Sequence, residues 1–173
     1  MFLESLDFTS LHNLKVLFVC ENNRYSVYSP IKNRQSKERQ ITKISKAIGI
    51  ESKKFSNHDI LELENFFKIT IDRIRSRSKP FLVEVDTYRY LEHCGPNNDD
   101  NLLYRNTLEI NKWKSRDQIK KLENFLIKNK VIDNKINKKI KQNIEKKIDA
   151  AFNFAEKSEY PSIKLLGKYI YAQ

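Results

Sequence analysis

Apolar and polar positions alternate along the chain in blocks that predict helix, strand, helix and strand. Leucines between residues 3 and 14 recur at roughly helical spacing. The apolar run Val16–Cys20 that follows is typical of a strand buried on both faces of a parallel sheet. Residues 60–74 again show helical spacing, with Ser56 expected as the N-cap, and Phe81–Val85 predicts a second strand. This order indicates an α/β fold.

The remaining segments are predicted to be loops and further helices. Residues 26–40 and 95–101 predict loops, and residues 38–48 predict a short helix closed by Gly49. From Leu108 onward the pattern is helical, and an apolar residue recurs every four positions. The members of this stripe are Ile132, Ile136, Ile140, Ile144, Ile148 and Phe152. Because four residues overshoot a helical turn by about 40°, the stripe winds around its helix and predicts an oblique crossing over its support.

The composition fits a globular chain without export or membrane signals. Of 173 residues 39% are hydrophobic, which is enough for a core, and no apolar stretch approaches the length that spans a bilayer. The start of the chain lacks the basic and apolar regions of a signal peptide. Cys20 and Cys94 are too few for a disulfide framework and match no zinc spacing, so we expect a cytoplasmic protein.

Positive charge is concentrated in one part of the chain. The net charge is +11, and residues 112–147 hold 13 Lys and Arg against 4 Asp and Glu. Such a block can bind nucleic acid. However, few aromatic residues interleave the lysines, and no nucleic-acid-binding motif is present. We therefore interpret the block as a solvated helix face and rank a basic nucleic-acid-binding module last among the possible functions.

Two polar clusters follow the predicted strands, at the position where ligands bind in open α/β sheets. In the first cluster, Glu21–Tyr25, the amide oxygen of Asn23 is a hard neutral donor suited to Mg²⁺ or Ca²⁺. The backbone carbonyl of Tyr25 can supply a second oxygen. From the residues alone, the plainer interpretation is favoured, in which Asn22 and Asn23 only end a strand.

The second cluster is Thr87–Pro96. His93 can transfer a proton or bind phosphate near neutral pH, and Arg89 can hold an anion through two hydrogen bonds. From the residues alone, a surface histidine and a structural ion pair with Glu92 or Asp86 explain the same side chains. The sequence pattern by itself therefore leaves the role of this cluster open.

The segment Leu14–Tyr25 closely resembles the strand and turn in alpha subunits of the thiamine-diphosphate-dependent 2-oxoacid dehydrogenases, of the pyruvate and branched-chain types. The resemblance continues in the family's order and covers nearly the whole chain. Its other segments are residues 2–8, 59–61, 84–90 and 149–155. It implies that residues 1–105 form the C-terminal portion of a thiamine-diphosphate-binding α/β domain, a parallel sheet flanked by helices. Residues 106–173 would form a helical C-terminal extension.

The resemblance also implies a chemistry. Thiamine diphosphate and Mg²⁺ would be the cofactors, with Asn23 binding the metal through its side chain and Tyr25 through its backbone oxygen. His93 would bind the diphosphate, as would Arg89, and His93 would act as a catalytic residue that helps the acyl group move on. Residues 94–105 would form a mobile loop. A beta-type subunit would be the partner, and the reaction would be the oxidative decarboxylation of a pyruvate-like 2-oxoacid.

Three departures from the family's pattern bear on this expectation. The Gly-Asp-Gly motif that precedes the paired asparagines is absent, so the second Mg²⁺ carboxylate is expected on a separate N-terminal half or in the lost part of a truncated subunit. The family's His-Gly-His-Ser reads Leu91-Glu92-His93-Cys94 here, and Glu92 adds a negative charge beside an anionic cofactor. A divergent branch is therefore implied, and a truncated or split-gene half-subunit without activity of its own is the alternative.

Overall fold

The computed structural model describes residues 1–168 and 170, which contain six α-helices and five strands. In chain order these are α1 (Phe2–Leu11), β1 (Leu17–Asn22), β2 (Tyr25–Ser26), β3 (Ser29–Pro30), α2 (Ile41–Ala47), β4 (Glu51–Phe55), α3 (Ile60–Arg77), β5 (Phe81–Asp86), α4 (Thr107–Lys114), α5 (Gln118–Lys128) and α6 (Asn134–Lys157). The chain divides into two compact units, Met1–Lys121 and Leu122–Gln173. The predicted division after residue 105 follows the family's domains and stays a prediction.

A parallel three-stranded sheet forms the centre of the first unit, as the sequence predicts. The strand order is β1-β5-β4, with β5 hydrogen-bonded to both neighbours. All six residues of β5 are buried, which matches its nearly continuous apolar sequence Phe81–Val85. The central strand of the sheet is therefore the one that follows both others in the sequence.

Helices cover both faces of this sheet and complete an α/β fold. On one face, α3 packs its buried Leu63 and Ile74 against Phe81, Val83 and Val85 of the central strand. On the other face, a smaller core joins α1 and α2 to the sheet. This core consists of Leu6, Ile50 and Leu82, with Phe18, Ile41 and Ile48 packed against it. The alternating side chains of β5 therefore serve two cores.

Two strand predictions need correction. The apolar run at β1 was expected to be buried on both faces, but Val19 is 49% exposed because β1 lies at an edge of the sheet. The run predicts a strand but does not reveal what covers it. Strand β4 was missed because its residues Glu51–Lys54 are polar. They lie on the opposite sheet edge, where Phe55 alone is fully buried.

The N-cap of α3 is Asp59 and not Ser56, so this prediction was wrong. The Asp59 carboxylate accepts a hydrogen bond from the Leu61 backbone N–H at 2.9 Å. Ser56 lies directly after β4 and is exposed, four residues before the helix begins. The spacing of Ser56 and Asp59 imitates a capping box, but the last residues of the preceding strand shift the start of the helix.

In the second unit, α6 carries the predicted apolar stripe along an exposed surface. Its members Ile136, Ile140, Ile144, Ile148 and Phe152 are 45–66% exposed. Near the start of α6, Asn137 and Lys141 both donate to the Glu123 carboxylate of α5, at 2.6 and 2.8 Å. The start of α6 is thus tied to α5 by polar contacts, while the stripe itself stays about half exposed.

Replacing the observed cap of α3 should destabilise the protein. We expect Asp59→Ala to lower the free energy of unfolding by about 1 kcal/mol, because the first helical N–H groups lose their acceptor. Urea denaturation followed by circular dichroism measures this. Ser56→Ala is the matched control and should change stability by less than about 0.5 kcal/mol. A larger loss of stability in Ser56→Ala than in Asp59→Ala would show that Ser56 is the functional cap.

Candidate functional site

The carboxyl ends of β1 and β5 bring both predicted polar clusters to one edge of the sheet. Asn22 and Asp86 are the last residues of these strands and are direct neighbours in the parallel register. The Thr87 backbone N–H donates to the Asn22 carbonyl at 3.0 Å and continues the pairing by one residue. The turn after β1 and the loop after β5 therefore begin side by side, at the edge where open α/β sheets bind ligands.

The two asparagines after β1 form a compact turn in which each has a separate task. Asn22 donates its side-chain amide to the Glu84 carboxylate at 2.9 Å and accepts from the Arg24 backbone N–H at 3.0 Å. Asn23 accepts from the Tyr25 backbone N–H at 2.9 Å. An amide oxygen has two lone pairs, so the Asn23 oxygen keeps one for a further partner. Asn22 is therefore a structural residue, and Asn23 retains the capacity to bind a ligand.

A buried ion network lies beneath this turn. Asp86 is fully buried and pairs with Arg24, whose positive φ of 64° directs its side chain from the turn towards β5. The Lys54 ammonium of β4 lies 2.6 Å from Glu84 and 3.3 Å from Asp86. Desolvation lowers the pKa of Lys54, but the Glu84 hydrogen bond and the two carboxylate charges outweigh it and raise the pKa above its ordinary value. The network joins all three strands at their carboxyl ends.

Sequence reasoning did not single out this network, although a signal was present. Glu84 and Asp86 are two positions apart in an otherwise apolar strand, so they lie on the same face. Acidic side chains are almost never fully buried without a partner. Two such residues in a predicted central strand therefore call for cations on its neighbours. These cations are Lys54 and Arg24. No buried contact was predicted for the segments in which they lie.

The side chain of Tyr25 anchors the turn to the first of the C-terminal helices. Its hydroxyl donates to the Glu109 carboxylate of α4 at 2.7 Å, and its ring meets Tyr104 edge-on at 5.8 Å. Desolvation and the hydrogen bond to Glu109 both raise the pKa of Tyr25. The sequence indicated a role only for the backbone oxygen of Tyr25, and these side-chain contacts hold the residue that carries this oxygen in place.

Arg89 is held by the protein on three sides. It donates to the Val27 carbonyl at 3.0 Å, to the Tyr104 hydroxyl at 2.7 Å and to the Leu91 carbonyl at 3.0 Å. The Asp99 carboxylate is 3.9 Å away. Arg89 thus connects the loop after β5 to the β2–β3 turn. Its Nε and Nη2 groups position these two segments, while its Nη1 is buried without a hydrogen-bond partner among the described residues.

Asp99 and Arg105 form the buried centre of the loop that follows β5. Both side chains are nearly inaccessible and pair with each other, and Arg105 also donates to the Arg89 carbonyl. The Tyr104 hydroxyl donates to Asp99 at 2.6 Å. Residues 94–105 were expected to form a mobile loop, but their second half is anchored by these contacts. A sequence signal for the pair existed only as two opposite charges six residues apart.

His93 lies in the exposed first half of the same loop. Its neighbour Glu92 closes a small ring, because its carboxylate accepts from the Asn97 side chain at 2.7 Å and its backbone N–H donates to the Asn97 carbonyl at 2.9 Å. Gly95 lies inside this ring, where a Cβ would overlap the Glu92 carboxylate. Glu92 therefore shapes the loop that carries His93, which the sequence analysis did not foresee.

The groups at this edge that could bind a metal ion are individual oxygen atoms rather than a cluster of charged side chains. Within the described residues, no three or more His, Cys, Asp and Glu side chains are grouped so that they can hold a metal ion. The Asn23 amide oxygen and the Tyr25 carbonyl belong to one turn and are hard, neutral donors of the kind that Mg²⁺ accepts. They fit as a partial ligand set.

A parallel sheet flanked by helices, with polar turns at its carboxyl edge, is the architecture of the α/β proteins that bind ligands at this edge. The chain belongs to the dehydrogenase E1 component family, which it matches over residues 1–164. The family predicted from the sequence is thereby confirmed.

Among curated relatives, the chain is similar to the pyruvate dehydrogenase E1 component subunit alpha of Rickettsia typhi. The two are 30% identical over 159 residues, which cover 92% of this chain and 48% of that protein. The subunit alpha of Porphyra purpurea is 28% identical over 99% of this chain and 48% of its own length. The chloroplastic subunit alpha-3 of Arabidopsis thaliana is 29% identical over 99% of this chain and 39% of its own. The chain spans about half the length of the curated relatives it matches.

Among the helices of the described residues, none has the length and apolar character that crossing a membrane requires.

Breaking the buried pair in the loop after β5 should cost considerable stability. We expect Asp99→Asn to lower the free energy of unfolding by about 3 kcal/mol, because the buried Arg105 loses its nearest counter-ion and keeps only the more exposed Asp100 at 3.1 Å. Asp100→Asn is the control, since Asp100 is more exposed and should cost about 1 kcal/mol or less. Urea titrations compare the two variants, and equal effects would contradict a central role for Asp99.

Proposed function

We propose that this chain is part of the alpha-type subunit of a thiamine-diphosphate-dependent 2-oxoacid dehydrogenase. The reaction would be the oxidative decarboxylation of a pyruvate-like 2-oxoacid, carried out together with a beta-type subunit. The family match over residues 1–164 supports this proposal, as do relatives whose names read pyruvate dehydrogenase E1 component subunit alpha. The observation that carries it is the Asn23 turn at the carboxyl edge of a parallel sheet.

In this proposal the turn after β1 holds the metal that accompanies the cofactor. The Asn23 side-chain oxygen has a free lone pair, and the Tyr25 carbonyl follows two residues later. Both are neutral, so they can join a diphosphate and a carboxylate around Mg²⁺ without excess negative charge. The carboxylate would come from outside these residues. When bound, thiamine diphosphate supplies the carbanion that attacks the ketone of the substrate, while the protein supplies orientation and electrostatics.

The ion network keeps this turn in place. Asn22 is hydrogen-bonded to Glu84, and Arg24 is paired with Asp86, so the residues on both sides of Asn23 are tied to the central strand. A ligand that is held by preorganised groups needs no reorganisation of the protein when it binds. We assign Asn22 and Arg24 as positioning residues for the proposed metal ligand.

His93 and Arg89 take different parts in this proposal. His93 is exposed at the front of the loop, where it can approach a diphosphate or a reacting group and transfer a proton. Arg89 already serves the Val27 and Leu91 carbonyls. These contacts support a positioning role for Arg89, and a direct contact with the cofactor stays a prediction. The cytoplasm also stays a prediction, since the relatives with a location in their names are chloroplastic or mitochondrial.

The metal role of Asn23 can be tested by substitution. In a complex reconstituted from this chain, a beta-type subunit and an N-terminal segment with the Gly-Asp-Gly motif, we expect Asn23→Ala to weaken Mg²⁺-dependent binding of thiamine diphosphate at least about 100-fold. Loss of one ligand from a site that needs full octahedral coordination has this order of effect. Isothermal titration calorimetry at several Mg²⁺ concentrations measures it.

Two controls separate this effect from loss of structure. Asn143→Ala removes an exposed amide on α6 and should leave cofactor affinity unchanged. Asn22→Ala should lower the free energy of unfolding by about 1.5–3 kcal/mol for the lost hydrogen bond to a charged group. It should weaken cofactor binding less than Asn23→Ala does, because Asn22 only positions the turn. If Asn23→Ala binds the cofactor like the parent chain, the metal assignment is wrong.

A further inference from the structure

A separate cavity lies between the ends of β4 and β5 and the corner that joins α4 to α5. Its volume is about 220 Å³, and its lining includes residues 56–58, 86–88 and 116–119 together with Tyr90 and Trp113. At roughly 30 Å³ for one water in the liquid, this space equals about seven waters. It is therefore too large to be filled by a single bridging water. The proposed metal ligands are not among the lining residues.

Flat aromatic rings form one wall of this cavity. Tyr88 and Trp113 are stacked, with ring centroids 5.4 Å apart and planes 10° from parallel. Tyr90 meets the Tyr88 ring edge-on at 5.6 Å, and its hydroxyl donates to the Trp113 carbonyl at 3.1 Å. The Tyr88 ring is engaged by Trp113 and by the Arg105 guanidinium, which lies 5.4 Å from its centroid. The outer face of Trp113 is therefore the flat surface on which a planar ligand can stack.

Three lining residues carry buried polar atoms that lack a hydrogen-bond partner among the described residues. They are His58 Nδ1, Asp86 Oδ1 and the Tyr88 hydroxyl. Burying such groups without a partner costs free energy. The Asp86 side chain is completely inaccessible. Its Oδ2 pairs with Arg24, and its Oδ1 lies 3.3 Å from the Lys54 ammonium. Polar atoms without partners around one cavity indicate a ligand that supplies the missing hydrogen bonds.

The types of these atoms define the ligand. An ionised carboxylate oxygen only accepts hydrogen bonds, and the Tyr88 hydroxyl can accept as well. Burial raises the pKa of Tyr88 to about 12, so the phenol stays neutral near pH 7. The second carboxylate in the lining, Asp117, uses one oxygen to accept from the Ile119 backbone N–H at 2.9 Å. The lining thus carries two carboxylates, Asp86 and Asp117, against one guanidinium, Arg116.

We propose that this cavity binds a small planar molecule whose edge carries N–H groups, an aromatic amidine or amide. The ring of the ligand stacks on the outer face of Trp113, and its N–H groups donate to Asp86 and to the Tyr88 hydroxyl. Asp86 also belongs to the ion network that holds the Asn23 turn, but the probes below are tested without thiamine diphosphate or Mg²⁺, so their outcome is separate from that of the proposed function.

Three probes of the same shape test the proposal on the full chain. Benzamidine, benzamide and benzoate share one ring and differ only in the edge group. Trp113 is the one tryptophan of the sequence, so its fluorescence reports occupancy directly. We expect saturable changes with benzamidine and benzamide at about 1 mM or below, an affinity ordinary for ligands of this size. Benzoate, which offers acceptors only, should bind at least about tenfold more weakly.

A conservative variant connects the binding to the cavity. Tyr88→Phe removes only a hydroxyl that has no partner, so the chain should fold as before, and the affinity for benzamidine should fall about tenfold. Tyr160→Phe is the matched control on a ring that is 98% exposed and should leave this affinity unchanged. The proposal is overturned if no probe gives a saturable change, if benzoate binds as well as benzamide, or if Tyr88→Phe binds benzamidine like the parent chain.

Discussion

Two carboxylates buried in the central strand require cations from its neighbours, and the carboxyl edge of the sheet depends on that compensation. Glu84 and Asp86 are almost inaccessible, and an unpaired ion at such a depth costs several kcal/mol. Lys54 on one edge strand and Arg24 after the other supply the counter-charges. A shift in register on either side would leave a charge without its partner. The position of the Asn23 turn therefore follows from the electrostatics of the strand beside it.

The sequence predicted the elements whose own residues decide their structure. The buried strand Phe81–Val85 and the amphipathic helix before it are visible in the spacing of apolar residues, and both are present. Strand β4 escaped prediction because its pairing with β5 stabilises it, while its polar residues are typical of a loop. The cap of α3 was misplaced because the end of β4 sets where that helix starts.

The same distinction holds for the candidate site, where residues recognisable from their own segment were predicted and residues that depend on distant partners were not. Asn23 and His93 were found because they stand in segments that resemble a family, and spacing alone favoured plainer roles for both. Lys54 and Arg24 were not found, since their carboxylate partners lie 30 and 62 residues away in the sequence. Contacts across such separations exist only once the strands have paired. The loop after β5 is similar, because the burial of Asp99 and Arg105 depends on Tyr104 and Arg89 closing around them.

The exposed stripe of α6 has a consequence for how the chain behaves in solution. Lysines lie between its isoleucines in a protein of net charge +11. Two copies therefore repel each other electrostatically, while the exposed apolar surface draws them together. Charge repulsion extends over about 30 Å at 0.01 M salt but only about 3 Å at 1 M. The colloidal stability of the isolated chain is therefore set by ionic strength, with dilute salt keeping copies apart and concentrated salt leaving contact between stripes unopposed.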